Sequence, residues 1–552
     1  MISDRRYWFF MLMAFLVYLA GITVTLFEND SAQFAVMAMR MVQEGDFLNL
    51  FKGPEEYLDK PHMHYWLAAI SFKIFGLHDW AYRIPGILAT LFAAYSCHGL
   101  GSLLYGRTTG KLAALIFMTA QTIVLGAIDV RTDAVLTGFA IFSLWQLTAY
   151  VQTGAVKAIV LGALGAGLAF STKGQIALVV IGLPLLCHMA YANMWRRFLS
   201  WKVLLALAVF LLATAPMLYA YYHQFDLHPE KVIRGRSDRS GIFFIFWEQS
   251  FERLSGEGMG TNSGDYLFFF HTFLWVFLPW TLVGIAAYAS RVKELVKSRM
   301  ARRPKTEFLT VGGITLIFFL ISFAQFKLPH YLNITMPLFA VLTAAFLTEM
   351  QEGQHLDRQR VLLWLQGALL GIVVLAGGFL CFYVFQIQGW GLGALLVMGL
   401  MGTGYLLLKK EHPLKRLLSM AVCASFLLNL VLNLHFYPKL LQYQGGSEMA
   451  KVVRDRDIPT DRIYKISGYH TWALDFYNKM PVKRIDLQTA GQMSGIWLYV
   501  NDDELAALEK AGLQWDAQHT VNQFRITRLQ AKFLNPATRR DVVRKMHLVQ
   551  LP

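Results

Sequence analysis

The chain has 552 residues, of which 55% are hydrophobic, 14% aromatic and only 16% charged, and its formal net charge is +15. Soluble globular proteins carry about 25% charged residues, so this composition excludes a disordered chain and argues strongly against a soluble enzyme. What remains is an α-helical polytopic membrane protein, and its basic excess needs no nucleic acid, because Lys and Arg cluster in short loops between apolar spans.

A bilayer span takes about 20 apolar residues. In chain order the candidates are 8–27, 82–104, 111–128, 133–152, 157–171, 175–192, 203–222, 267–288, 308–324, 331–348, 361–386, 390–408 and 416–436, about thirteen helices. The first is too long for a signal-peptide core and no small-residue cleavage site precedes Glu28-Asn29-Asp30, so it is read as a retained helix. Arg5 and Arg6 place the N-terminus in the cytoplasm, and alternate loops carry the basic residues thereafter, among them Arg107 and Lys111, Arg196 and Arg197, Arg302 and Arg303, and Lys409 and Lys410. An odd number of spans puts the C-terminus outside. Cys97, Cys187, Cys381 and Cys423 lie in apolar segments without CxxC spacing and read as small buried hydrophobes.

The expected organisation is a transmembrane domain, 1–436, with outer loops 28–81 and 223–266, followed by a periplasmic α/β domain, 437–552. The first loop holds amphipathic stretches, Ala32 to Val42 and His64 to Phe75, suited to the interface. The tail alternates short β-like runs (Arg462 to Ser467, Val482 to Ile485, Ile496 to Val500, Phe524 to Leu529) with helical ones, and one helix starts at an Asn501 cap followed by Asp502, Asp503 and Glu504.

Charges are almost absent from the span interiors and gather at the outer helix ends. Ion-coupled transporters place carboxylates or broken helices at the midplane, whereas this pattern suits an enzyme working on an amphipathic substrate at the outer boundary. Glu28 and Asp30 follow the first helix. Asp59-Lys60-Pro61-His62-Met63-His64 sets a carboxylate beside an ammonium, and His62 and His64 with Glu55, Glu56 and Asp59 can bind a divalent metal ion, although interfacial histidines are the plainer reading of His62 and His64. Asp129-Val130-Arg131-Thr132-Asp133 is either an internal salt bridge or a second acidic site. Lys173, Arg253 and Lys327 are outer cations, able to bind an anion or to anchor helix ends by snorkelling. A lipid-phosphate leaving group needs positive charge where its own charge develops, and a carboxylate can orient or deprotonate the acceptor or position a metal.

At these residues the chain resembles the membrane C-type glycosyltransferases of the protein O-mannosyltransferase superfamily, and among them it is most similar to the aminoarabinose transferases that modify lipid A. The resemblance rests on an ordered set: Asp30-Ser31-Ala32-Gln33-Phe34, Gly45-Asp46, Asp59-Lys60-Pro61, Arg83-Ile84-Pro85, Arg131-Thr132-Asp133, Thr172-Lys173-Gly174, Arg253, Pro279-Trp280, and Lys327-Leu328-Pro329-His330-Tyr331. It implies inverting transfer of a sugar from a polyprenyl-phosphate donor. It further implies that Asp30 is the principal catalytic carboxylate and Asp133 the second, that Lys60, Arg253 and Tyr331 lie near the donor phosphate, and that Asp59 is linked to metal. The chain departs from the family pattern at Ser31 and Phe34, where many relatives have Glu and Tyr, at Gln33, where the aminoarabinose subgroup has arginine, and at His62, where a second Pro is common.

The expected function is thus that of an integral glycosyltransferase of the bacterial inner membrane, multi-pass, with its active site on the periplasmic side. Asp30 and Asp133 are its catalytic residues, and Lys60, Lys173, Arg253, Lys327 and Tyr331 hold the donor phosphate. Asp59, His62 and His64 are the candidate metal ligands. The acceptor is expected to be lipid A, with protein Ser/Thr or a polysaccharide as alternatives. A lipid-linked-sugar flippase is the non-enzyme alternative, which the nearly charge-free spans argue against.

Overall fold

The computed structural model describes residues 3–249, 251–252, 264–303, 306–353 and 356–552. Helix α1 (Asp4–Gly21) is followed by two helices of the loop 28–81, expected to be outer, α2 (Asp30–Glu44) and α3 (Met63–Phe75), with a small antiparallel hairpin, β1 (Phe51–Lys52) and β2 (Glu55–Glu56), between them. The bundle continues through α4 (Asp79–Tyr105), α5 (Arg107–Thr119), α6 (Gln121–Gly126), α7 (Thr132–Thr153), α8 (Val156–Lys173), α9 (Gln175–Ala192) and α10 (Lys202–Tyr221). Then come α11 (Phe268–Val276), α12 (Thr281–Lys297), α13 (Leu309–Ser322), α14 (Met336–Glu352), α15 (Leu356–Phe379), α16 (Trp390–Leu408) and α17 (Pro413–Val431).

Each expected span falls mainly on helix, although the first, 8–27, ends early at Gly21, and two are broken. The run 111–128 splits at Ala120 into α5 and α6, and 267–288 splits at Pro279 into α11 and α12. The breaks are stitched together: the Gln121 amide donates to the Leu278 carbonyl at 2.8 Å, and the Trp280 indole donates to Thr119 Oγ1 at 2.8 Å. Continuous hydropathy hides such breaks, because the freed backbone groups find partners inside the protein. By length and apolar character, eight of the described helices can cross a membrane, with two shorter apolar helices besides.

Close helix approach is bought with small residues. Gly138 on α7 lies against the Ala89 carbonyl of α4, where an added Cβ would sit 2.8 Å from the oxygen. Two of the basic loops assigned to one side meet the N-terminus: Lys111 pairs with Asp4 at 2.5 Å and Arg6 with Glu411 at 3.2 Å.

The C-terminal region holds α18 (Gly445–Asp455), α19 (Trp472–Asn478) and α20 (Asp502–Lys510) around a five-stranded sheet. Its strands are β3 (Ile463–Lys465), β4 (Lys483–Arg484), β5 (Trp497–Asn501), β6 (Ala517–Gln523) and β7 (Arg544–Gln550), in the order β4-β3-β5-β7-β6. β3 pairs in parallel with both β4 and β5, while β5 with β7 and β6 with β7 are antiparallel. The Asn501 cap forms as expected, its side chain accepting from the Glu504 amide while Glu504 returns the bond. The run Phe524 to Leu529 is not a strand, contrary to expectation: the Phe524 amide leaves the sheet to donate to the Tyr443 carbonyl at 2.7 Å.

This region sits directly on the first outer loop. Gln444 accepts from the Glu28 amide at 2.7 Å and donates to the Leu26 carbonyl at 2.9 Å. The Tyr477 hydroxyl accepts from the Leu26 amide at 2.9 Å and donates to Asp79 at 3.2 Å. The backbone leading into Asp30 is therefore clamped from above.

Candidate active site

Asp30 opens α2 directly after Asn29, which holds φ 84° and ψ −136°. That is a region where L side chains are strained, at a cost of about 1–3 kcal/mol. The strain sets the Asp30 carboxylate at the start of a helix, where the helix dipole favours an anion. From below, the fully buried Arg83 holds the same segment: its Nε donates to the Ile128 carbonyl at 3.0 Å and its Nη1 to the Ile22 carbonyl at 3.0 Å. Arg83 thus ties the exit of α1 to the connection between α6 and α7, so that Asp30 and the Asp129–Asp133 turn face each other.

Across that gap Arg131 Nη1 donates to Asp30 Oδ2 at 2.9 Å, and Arg131 Nη2 holds Asp129 Oδ2 at 2.9 Å. Arg131 Nη1 also lies 3.2 Å from His330 Nδ1. That nitrogen must accept, which leaves the His330 Nε2 to carry the proton, 3.9 Å from Asp133 Oδ2. Asp133, in the first turn of α7, takes a 2.7 Å bond from the Lys173 ammonium at the end of α8, and both side chains are buried. Lys173 in turn lies 5.0 Å from the Tyr331 ring. Lys60 stands over the Phe34 ring at 4.5 Å. Burial pushes the Asp30 carboxyl up, but the charges of Lys60 and Arg131 outweigh it, and Asp30 is held below the ordinary carboxylate range.

Asp30, Lys60, Asp133, Lys173 and Tyr331 therefore belong to one neighbourhood, with three acids and three cations counting Asp129 and Arg131. The Asp129–Asp133 run is an ion-pair network, as one of its two sequence readings has it, but its outward partner is Asp30. Lys327 is buried, 5.4 Å from the Tyr266 ring, at the end of the segment that carries His330 and Tyr331. Arg253 lies outside the described residues.

The set Asp59, His62 and His64 does not assemble. Asp59 pairs with Arg234, which also holds Glu252 at 2.9 Å. His62 Nε2 donates to the Leu48 carbonyl at 2.9 Å, and His64 Nε2 donates to the Tyr82 hydroxyl at 3.0 Å. Burial lowers both imidazoles, His62 to about 4 and His64 to about 3, so they are neutral packing groups. Both Nδ1 atoms are buried without a hydrogen-bond partner among the described residues, yet no group of three or more metal-ligating side chains converges among those residues. The residues present do not fit a divalent ion at this place.

Beside the charged cluster an apolar cavity of about 680 Å³ opens between α11, α12, α13 and α14. Phe270, Phe273, Phe318 and Phe339 line it, as do Phe323 and Tyr266, whose ring lies 5.4 Å from the Lys327 ammonium. The segment Lys327 to Tyr331 thus connects an apolar groove to the ion-pair network.

A family model described as dolichyl-phosphate-mannose-protein mannosyltransferase matches residues 59–220. The chain is 23% identical over 328 residues to an undecaprenyl phosphate-alpha-4-amino-4-deoxy-L-arabinose arabinosyl transferase of Proteus mirabilis, covering 58% of this chain and 55% of that protein. It is 26% identical to the corresponding transferase of Yersinia enterocolitica, covering 70% of this chain and 65% of the other. The matched regions span less than two thirds of either relative. Among solved structures, ArnT from Cupriavidus metallidurans bound to undecaprenyl phosphate superposes with a TM-score of 0.73 at 17% identity, over 98% of this chain and 97% of that one. The chain carries the C-type glycosyltransferase fold.

Within this fold His330 and Asn29 are the site residues that the sequence reading passed over. His330 is an uncharged residue between Pro329 and Tyr331, and nothing in its spacing marks it. Asn29 has only its backbone angle to mark it, which no composition or spacing reveals.

Proposed function

We propose that the protein transfers a sugar from a polyprenyl-phosphate donor to a lipid A-type acceptor at the outer face of the bacterial inner membrane. The observation that carries this reading is the junction at Lys327–Tyr331, where an apolar groove meets a cluster of alternating charge. A polyprenyl tail is matched by the groove, and its phosphate by the Lys60 and Lys327 ammonium groups. Lys173 is committed to Asp133, so it sets the local charge and supports the phosphate indirectly. The relatives' aminoarabinose transfer agrees with three carboxylates near the sugar, since an amino sugar is cationic.

Inverting transfer needs the acceptor oxygen to attack the anomeric carbon as the bond to the donor phosphate breaks. A phosphate acceptor is already an anion and needs no strong base. Asp30, held ionised by Lys60 and Arg131, then orients the sugar and stabilises positive charge developing at the anomeric carbon. The cations take up the charge of the departing polyprenyl phosphate.

Mass spectrometry of lipid A and of polyprenyl-phosphate lipids, with and without the gene, tests the proposal. Loss of a sugar from lipid A with accumulation of the lipid-phosphate sugar is the expected result. Unchanged lipid A with an accumulating donor would move the acceptor to protein or polysaccharide. No change in either pool would overturn the donor assignment.

A further inference from the structure

The C-terminal sheet has a topological switch point. From β3 the chain passes to β4 on one side and then to β5 on the other, and all three run parallel. In open α/β sheets, ligands bind in the crevice outside the carboxyl ends of the strands where the strand order reverses. A cavity of about 500 Å³ lies at that place. The turn after β3 supplies Tyr469, His470 and Thr471, and the end of β5 supplies Tyr499, Asn501, Asp502 and Asp503. The adjoining ends of β6 and β7 add Gln523, Arg544 and Lys545, so β3, β5, β6 and β7 all contribute at the same end of the sheet.

The opposite wall belongs to the outer loop and to the start of α18. Glu28 accepts from the Ala473 amide at 3.2 Å and reaches into the cavity beside Gly446. A Cβ at Gly446 would sit 3.3 Å from Glu28 Oε2, and one at Gly445 would lie 2.6 Å from Gln523 Oε1 and 3.2 Å from the Tyr499 hydroxyl. The Gly445-Gly446 pair thus leaves room for the polar groups gathered there.

We infer that this cavity binds a saccharide. Its lining alternates carboxylates, carboxamides, a guanidinium and an ammonium with the tyrosines Tyr469 and Tyr499, whose rings stand edge to face at 6.2 Å. Adjacent sugar hydroxyls pair with side chains that offer two hydrogen-bonding atoms, and the C–H face of a sugar ring packs on aromatic carbon. A pocket for a simple anion would lack the adjacent carboxylates Asp502 and Asp503. One for an acyl chain would lack the polar wall, as the groove between α11 and α14 does. The site is separate from the cluster around Arg131, yet its Glu28 is two residues from Asp30, so an occupant would touch the segment that positions that carboxylate.

Saturation-transfer NMR and calorimetry on the detergent-purified full-length chain test this without any transfer reaction, so failure of the proposed function would not affect the result. The probes are a glucosamine disaccharide, the same disaccharide presented on lipid A in nanodiscs, and inorganic phosphate. Saturable binding of the free disaccharide is expected, weakened about tenfold by Asp503→Ala and by Arg544→Ala, the loss of one charge-assisted hydrogen bond in each. Both side chains are exposed, so the variants should fold. Binding of the lipid-borne form alone would also support the saccharide site and assign its source to a membrane glycan, provided the two substitutions weaken it. Binding of phosphate but no saccharide, or saccharide binding indifferent to both substitutions, would overturn the inference.

Discussion

Arg131 and Asp30 are 101 residues apart in sequence and are joined by a 2.9 Å ion pair that bridges the two acidic segments of the site. Because Arg131 also holds Asp129, removing the Asp30 charge leaves the guanidinium turned toward Asp129 and His330. Asp30→Asn is expected to lower kcat by about a hundredfold or more, on the scale of losing one preorganised electrostatic contact in a transition state, with unchanged abundance and gel-filtration profile. Arg131→Lys keeps a charge but cannot bridge two carboxylates, and should fall between Asp30→Asn and the parent. Full activity of Asp30→Asn in steady-state assays would remove Asp30 from the mechanism.

Lys60 also acts on Asp30 through its charge and stands over Phe34. If its ammonium holds the donor phosphate, Lys60→Ala should raise the donor KM about tenfold or more, as expected for a charge-assisted hydrogen bond. The acceptor KM should stay near its parent value. Varying donor and acceptor separately distinguishes this from general damage, in which both would move.

These groups were legible in the sequence because a charge beside a span is costly and stands out against apolar neighbours. Asp30, Lys60, Asp133 and Lys173 could be picked out in that way. Their pairing could not, since Arg131 reads equally well as a partner of Asp129 alone, and His330 becomes visible only when the segment 327–331 is folded against α7. Arg83 shows the same limit: its sequence context marks the start of a helix, while its work is to bind carbonyls on two distant segments. The absence of strand β6 from the expected runs has a plain cause as well. β6 alternates half-buried and exposed positions with mostly polar residues, whereas the more apolar start at Phe524 turns away to pack on Phe533, ring on ring at 3.9 Å.

Glu28 and Asp475 give the junction between the outer loop and the C-terminal region a pH dependence. Burial raises Glu28 to about 8, against the lowering by the Ala473 amide, and raises Asp475 to about 6. Both acids bind their protons more tightly in the folded protein than in the unfolded chain. Their contribution is therefore fully present below the ordinary carboxylate values and is lost as pH rises through about 6 and then about 8. Thermal unfolding in detergent should show a midpoint that declines from the ordinary carboxylate range up to about pH 8. Glu28→Gln, which keeps an acceptor for Ala473 without the charge, should flatten the upper part of that decline. An identical profile in the variant would show that Glu28 does not titrate there.

Arg83 offers a contrasting case, a buried cation whose task is architectural. It donates to the Ile22 and Ile128 carbonyls, and its removal would leave both acceptors unsatisfied at about 1–3 kcal/mol each. Arg83→Met is expected to cost about 3 kcal/mol of stability, read as a lower thermal midpoint and easier proteolysis between α1 and α2. Because the same carbonyls fix the approach to Asp30 and to the Asp129–Asp133 turn, the surviving folded fraction should also lose kcat, while the donor KM changes less than in Lys60→Ala. A variant as stable as the parent but inactive would instead place Arg83 in direct contact with the reacting groups, against its full burial among backbone carbonyls.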